Sequence, residues 1–339
     1  LLDKAKQQNI TLENLRLSPL VSYLLFHLLE DSPYIVDHAN AQRTQLLDLK
    51  ELNWSTRLTE LFHIPGRSLP ECVSVLSRSS APHGKLAGTA IPVRAISGDQ
   101  NAVIYGAGLL EHDTALVNFG TGAFVLRMLH RNRASKKQLT SIACSSHDRL
   151  EYAREATVNG CASAISWLEK QYQGNNILTL LPEWLETVKQ PPVFINTIGD
   201  LGSPWWRSDI DAEFVPADSS ADSKNITLPE KAVAIIESIV FMVCANLEIM
   251  CNEHSVSRLR VSGGLSQIDN LCQRLADLSG LPVERVKLPE ATARGICWLA
   301  AGRPYGWSNI EIDLFEPVNK PALTDRFKLF TATLKQLIN

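Results

Sequence analysis

None of the seven cysteines, at 72, 144, 161, 244, 251, 272 and 297, stands in a Cys-x-x-Cys pair. An odd number of scattered thiols suits neither a disulfide framework nor a structural zinc site, and a reducing, cytoplasmic setting is expected. Long apolar runs are missing too. The longest, Ile239 to Ala245, has seven residues, against roughly 20 for a membrane-spanning helix. No basic-then-apolar leader opens the sequence, so neither targeting nor a membrane partner is expected. Nor does one sign of charge dominate. Thirty-three Lys and Arg against 36 Asp and Glu leave a net charge of -3, which offers no footprint for nucleic acid. Small molecules or proteins are the expected partners, with homo-oligomerisation left open. His-Glu-x-x-His, Gly-x-Ser-x-Gly and Gly-x-x-x-x-Gly-Lys-Ser/Thr are all absent, which removes zinc-hydrolase, nucleophile-elbow and P-loop readings, and no residue is assigned to a metal.

What is present is an ordinary globular composition. The 339 residues are 45% hydrophobic and 20% charged, which at about 150 residues per domain gives two folded domains. Leu20, Leu24 and Leu28 share a helical face before the Asp31-Ser32-Pro33 stop, which predicts a buried helix. Thr44 to Leu49 reads as a strand and Leu58 to Phe62 as a short helix, while Pro65, Pro70, Pro82 and Pro92 mark residues 65–95 as connecting structure. Thr114 to Leu129 is two apolar strands around Gly120-Thr121-Gly122, a hairpin with a tip of small residues. A helix is predicted over Ala156 to Lys170 and a strand over Pro191 to Ile198, and 217–225 has a loop composition. The segment 231–250 is apolar nearly all round and predicts a buried helix. Arg258 to Val261 reads as a strand, and Ser266 with Asp269 as a capping pattern for a helix with Leu271, Leu275 and Leu278 inward. A strand near Val283 and a helix over Glu290 to Ala301 complete an alternating α/β end.

Three glycine-rich turns are candidates for chemistry: 96–108, 118–122 and 260–266. Glycines let backbone N–H groups approach a ligand and form a concavity for phosphate oxygens, although one such turn alone more often serves only a positive φ angle. Asp99 sits in the first turn, before the helix-like run 102–110. Its carboxylate is read either as a helix cap or as a general base that accepts a proton from an attacking hydroxyl in phosphoryl transfer. In the second reading the Gly120–Gly122 hairpin holds the transferring phosphate and Thr121 donates to it. Trp205 and Trp206 are read as a sugar-stacking pair or as a plug between domains.

In order along the chain, DHANAQRTQLLDL, GDQNAVIYG, VNFGTGAFVL, INTIGDLGSPWW, VSGGLS and PEATARGICWLAAG resemble segments of the FGGY carbohydrate kinases, most closely the glycerol kinase branch. The resemblance runs from about residue 18 to about 305. It implies an α/β, two-domain, actin-like (ribonuclease H-like) ATPase fold, and ATP- and Mg²⁺-dependent phosphorylation of a hydroxyl on a small carbohydrate or polyol. Carried over by residue, Asp99 resembles the catalytic base, Gln100 a substrate-hydroxyl contact and Phe124 the ring against the substrate carbons. Gly120, Thr121 and Gly122 resemble the phosphate contacts, and Gly263 and Gly264 the nucleoside contacts. The implied division is a substrate-side domain remnant over 1–107, a complete nucleotide-side domain over 108–310 and a tail helix over 311–339.

Departures from that pattern define the rival expectation. The family's Asp-x-Gly-Thr loop and Lys-x-x-Trp signature do not occur at their places in this sequence and would precede Leu1. The turn before the buried helix is replaced by the loop around 215–225, Ile268 stands where an adenine-reaching Asn is common, and Ala162 where a glycine is expected. They point to a non-catalytic homologue that binds ligands or partners, or to a chain that alone binds nucleotide weakly and turns over essentially nothing.

Overall fold

A computed structural model describes residues 4, 7, 8, 15–172, 176–216, 226–287, 290–307 and 310–338. The loop segment 217–225 lies outside the described residues. The first hundred residues build α1 (Leu20–Leu28), β1 (Ile35–Asp37), the antiparallel pair β2 (Leu47–Asp48) and β3 (Asn53–Trp54), α2 (Thr56–Leu61) and β4 (Glu71–Val73). β1 and β4 pair in parallel, with Val36 opposite Cys72. The expected strand 44–49 is therefore reduced to two residues after a 3₁₀ turn at Gln42–Thr44.

The expected inner face of α1 is wrong. Leu20, Leu24 and Leu28 are 72%, 44% and 52% exposed, whereas Leu25 and Leu29 are buried against Ile35 and Ile96. Both stripes are apolar, so periodicity offers two inner faces, and the neighbouring strand selects the one containing position 25.

The rest of the chain forms β5 (Thr114–Phe119), β6 (Ala123–Leu129), β7 (Leu139–Ser145), β8 (Leu150–Val158), α3 (Ala162–Gln171), α4 (Ile177–Thr187), β9 (Val193–Ile195) and β10 (Glu213–Val215). It continues with α5 (Leu228–Glu253), β11 (Arg258–Ser262), α6 (Asp269–Ser279), β12 (Val283–Val286), α7 (Ala291–Ala300), β13 (Ile312–Phe315) and α8 (Pro321–Ile338). Seven strands make one sheet in the order β13-β12-β11-β5-β6-β8-β7. β5, β11 and β12 run parallel, joined between β11 and β12 by the α6 crossover, while β6, β8 and β7 form an antiparallel meander. β13 adds antiparallel to β12, and α8 returns to the core through Phe330 and Leu334.

Helix α5 anchors this region. Thr227 and Glu230 form a reciprocal capping box at its start, and its middle, from Ala232 to Cys244, is buried throughout. It is long and apolar enough to cross a membrane, yet 83% of its most apolar window is covered by the protein itself. Two other expectations change. Ala156–Val158 end strand β8 and the helix begins only at Ala162, because pairing with β6 fixes this stretch as strand whatever its helical periodicity. At α6 the N-cap is Ile268, without a side-chain cap, and the Ser266 hydroxyl instead donates to the Gly263 carbonyl at 2.6 Å. Leu271 and Leu275 are fully buried as expected, and Leu278 is half-buried.

Candidate functional site

The β5–β6 hairpin places Gly120, Thr121 and Gly122 at its tip, and main-chain bonds hold it there. The carbonyls of Gly120 and Thr121 accept from the N–H groups of Ala162 and Ser163, at 3.2 and 3.1 Å, so the tip satisfies free donors at the start of α3. A Cβ on Gly122 would lie 2.9 Å from the Val158 carbonyl oxygen, so this glycine is needed for packing against β8. Phe124 is half-buried on β6 between Asn118 on β5 and Thr157 on β8.

Beside the hairpin, the turn after β11 carries the other glycine pair. Gly263 has φ +91°, and a Cβ there would collide with the Phe119 carbonyl oxygen. Gly264 differs, because nothing lies within 4 Å of a Cβ built on it. Ser262 donates its hydroxyl to Asn118 Oδ1 at 3.1 Å, locking the ends of β11 and β5 together. A cavity of about 310 Å³ opens here, lined among others by Asn118, Gly263, Gly264, Thr292 and Val103. Gly120–Gly122, Phe124, Asp99 and Gln100 are not part of its lining.

Val103 connects this cavity to the third turn. Gly98 is the N-cap of a helical turn, Asp99–Ala102, that runs on as Val103–Tyr105. Helix α7 packs on it so closely that a Cβ on Gly295 would collide with the Ala102 carbonyl oxygen. Asp99 is exposed, and its Oδ1 accepts only from the adjacent Gln100 N–H, at 2.7 Å, which is not a cap of the following turn. Among the described residues, Gln100 Oε1 is buried without a hydrogen-bond partner. Such an orphaned acceptor is costly unless something else donates to it.

Several residues in the DHANAQRT segment have roles that sequence reasoning did not assign. Arg43 forms a two-pronged pair with buried Glu155 on β8, at 2.7 and 2.9 Å, and also donates to Asn101 Oδ1 at 3.2 Å. Asn101, two residues after Asp99, donates to the Ile142 carbonyl at 2.6 Å. Gln42 bonds the N–H and the carbonyl of the same Ile142, at 2.6 and 3.0 Å. β7 is the edge strand of the sheet, so its outward backbone groups are open to side chains, and the β7–β8 register shifts between Ile142 and Cys144. Asp37 lies deep beneath the segment, receiving Asn40 N–H and Asn40 Nδ2 at 3.0 and 2.6 Å. Burial pushes its carboxyl up to about 6, against the bonds from Asn40 that pull it down. The matched segment was the available signal, since it marked these positions without giving them tasks.

Trp205 is partly buried against the core and edge-on to Phe330, whereas Trp206 is 45% exposed and donates to the Lys137 carbonyl at 2.9 Å. A stacked pair is not formed.

Comparison with known proteins decides the family. Residues 115–302 match the profile of the FGGY family of carbohydrate kinases, C-terminal domain, and residues 5–106 match the N-terminal domain profile of the same family. The chain belongs to the FGGY family of carbohydrate kinases. It is 29% identical to the glycerol kinase of Trichodesmium erythraeum over 327 residues, covering 92% of this chain and 63% of that protein. Glycerol kinases of Rippkaea orientalis and Synechocystis are each 28% identical, with 93% of this chain and 65% of each relative covered. This FGGY chain thus spans 63% to 65% of the length of these curated relatives. In fold it is similar to Plasmodium falciparum glycerol kinase with ADP, at TM-score 0.78 and 20% identity over 94% of this chain and 66% of that one. Ligand-bound xylulose kinase from Lactobacillus acidophilus gives TM-score 0.81 and 18% identity over 98% of this chain and 70% of that one. The two-domain actin-like FGGY fold is thereby established, with the β8-β6-β5-β11-β12 core of the sheet in the part that the C-terminal domain profile matches.

Proposed function

We propose that this chain takes part in ATP-dependent phosphorylation of a hydroxyl on a small carbohydrate or polyol. The observation that carries the reading is mechanical continuity. The turn bearing Asp99 and Gln100 runs into Val103, which lines the cavity at Gly263 and Gly264, and α7 clamps the two together. In this reading Asp99 accepts the proton of the attacking hydroxyl and Gln100 Oε1 receives a second substrate hydroxyl. Phe124 lies against the substrate carbons. Gly120, Thr121 and Gly122 face the nucleotide phosphates, and Gly263 and Gly264 the nucleoside, with open Gly264 giving the backbone close approach. Bound ATP supplies the transferable γ-phosphoryl group. Among the described residues no cluster of three or more His, Cys, Asp or Glu side chains is placed to hold a metal. Mg²⁺ would arrive with the nucleotide phosphates and offset their charge, and no step here runs through it. Catalysis rests on positioning, with Arg43 and Asn101 fixing the Asp99 turn against β8.

A second reading, a ligand-binding homologue without chemistry, is favoured by the exposure of Asp99. One experiment separates them: ATP binding by calorimetry alongside acceptor-dependent ADP release with glycerol and with xylulose. Binding with acceptor-dependent release that Asp99→Asn abolishes supports the kinase. Binding without release supports the second reading, and no binding overturns both.

A further inference from the structure

At the opposite end of the sheet from the hairpin tip lies a cavity of about 500 Å³. Its position follows from the ladder. Ala123 pairs with Val158 near the tip and Leu129 with Tyr152 at the far end, and the β7–β8 turn that lines the cavity lies beyond Tyr152. Four segments distant in sequence meet there: residues 76–79, Arg94, the 146–149 turn, and 299–303 at the end of α7. Two belong to the first hundred residues and two to the sheet region.

The lining is cationic in a chain whose net charge is -3. Arg94, Arg149 and Arg303 face it, with Asp148 as the one lining carboxylate. Glu151 lies beneath but is fully used. It takes both Arg303 Nη groups at 2.8 and 2.9 Å, Arg149 Nε at 2.8 Å and the Tyr105 hydroxyl at 2.6 Å. Arg303 is further pinned over the rings of Tyr105 and Trp298. This arrangement holds Arg303 rigid and leaves both Nη groups of Arg149 without a partner among the described residues. Arg94 spends only Nη1, on the Ser79 carbonyl at 3.2 Å. Ser77 and Ser146 complete the wall, their hydroxyls donating to the Arg94 carbonyl at 3.2 Å and to Asp148 Oδ1 at 2.9 Å.

We propose that this cavity is a second anion site, which takes a phosphate-bearing small molecule and bridges the two halves of the protein. Guanidinium groups converging with an excess of positive charge are the chemistry that recognises a phosphate dianion, and Arg supplies donors in the planar geometry its oxygens accept. The ligand is inorganic phosphate or a phosphorylated polyol. The site is separate from the nucleotide cavity, and its existence does not depend on the kinase reading.

The test is calorimetric titration of the chain with inorganic phosphate and, separately, with phosphorylated glycerol, each with ADP and glycerol in excess to occupy the nucleotide cavity and the Asp99 turn. One saturable site is expected. Arg94→Gln and Arg149→Gln should each weaken it by roughly tenfold, as for one lost charge-assisted hydrogen bond. Gly264→Val, on the other cavity, should leave it intact. Tighter binding of the phosphorylated polyol would identify the organic ester as ligand, and equal binding would identify phosphate itself. Absence of saturable binding, indifference to both arginine variants, or loss in Gly264→Val would overturn the site. Arg94 and Arg149 are not buried, so an unchanged melting temperature separates lost binding from lost folding.

Discussion

Strands in residues 15–107 are two or three residues long and pair only in twos, whereas residues 108–338 close around a seven-stranded sheet and a buried 26-residue helix. Large apolar side chains follow the same division. In the first region Leu20, Tyr23, Leu24 and Phe62 are exposed, while in the second Phe194, Phe241 and Phe330 are at most 1% exposed. The first region therefore relies on docking to the second more than on a core of its own, through shared apolar clusters such as Val36, Ala41 and Leu47 on Ile142 and Tyr152, and through Gln42 on Ile142 and Arg43 on Glu155. The Asp99 turn at that junction is held by hydrogen bonds as well as by packing, and their strict geometry suits positioning.

The sharpest break in this comparison is Glu155→Ala. It strands the Arg43 charge against β8, and removing one partner of a buried pair costs roughly 3–5 kcal/mol. The lower half of that range is expected here, because the Arg43 side chain is 37% exposed. Chemical denaturation should show early loss of the first region with the sheet region intact; a single unchanged transition would mean that the Arg43–Glu155 pair does not hold the first region in place. Next, Asp99→Asn should lower acceptor-dependent turnover by about 10²-fold, or 2.7 kcal/mol in the barrier, and leave ATP affinity unchanged. A folded variant with near-normal turnover removes Asp99 as base. For nucleotide binding, Gly264→Val is a cleaner probe than Gly122→Val, whose side chain would strike the Val158 carbonyl and confuse folding with binding. A weaker ATP affinity at an unchanged melting temperature is the expected result.

A pH experiment sharpens the comparison further. Asp37 has a folded-state pKa of about 6, raised by burial above its ordinary value. A carboxyl raised in the folded state binds its proton more tightly there, so its contribution stabilises the first region as pH falls from about 7 towards 4 and is lost as pH rises through 6. Arg285 and Lys287 beside Asp313, whose carboxyl they hold below its ordinary value, work in the opposite direction in the sheet region, where stability is lost on acidification. The wild-type minus Asp37→Asn difference in melting temperature should therefore grow between pH 7 and 5, and a flat difference would contradict the assignment. The smallest effect is expected on α1. Leu24→Gln should stay within about 0.5 kcal/mol, as for an exposed position, while Leu25→Ala, one residue on, should cost roughly 2 kcal/mol or more. A larger cost for Leu24→Gln than for Leu25→Ala would show that the helix buries the other face.

By itself the sequence determined those elements whose signal is local and repeated. The hairpin at 114–129, the apolar helix at 231–250, the β11–turn–α6 unit and the glycine turns were all readable, because alternation, all-round hydrophobicity and glycine punctuation act over a few residues. The ordered segments also identify the family. Tertiary structure alone decided which of two apolar stripes α1 buries, and that Ala156–Val158 is strand, since both depend on a neighbour far along the chain. It also decided the tie between Arg43, Glu155, Asn101 and Ile142, partners separated by up to 112 residues. No periodicity encodes such a contact. It exists because β7 is the edge strand of the sheet, with the outward N–H and C=O of Ile142 left for side chains, and the fold brings that residue to the Asp99 turn.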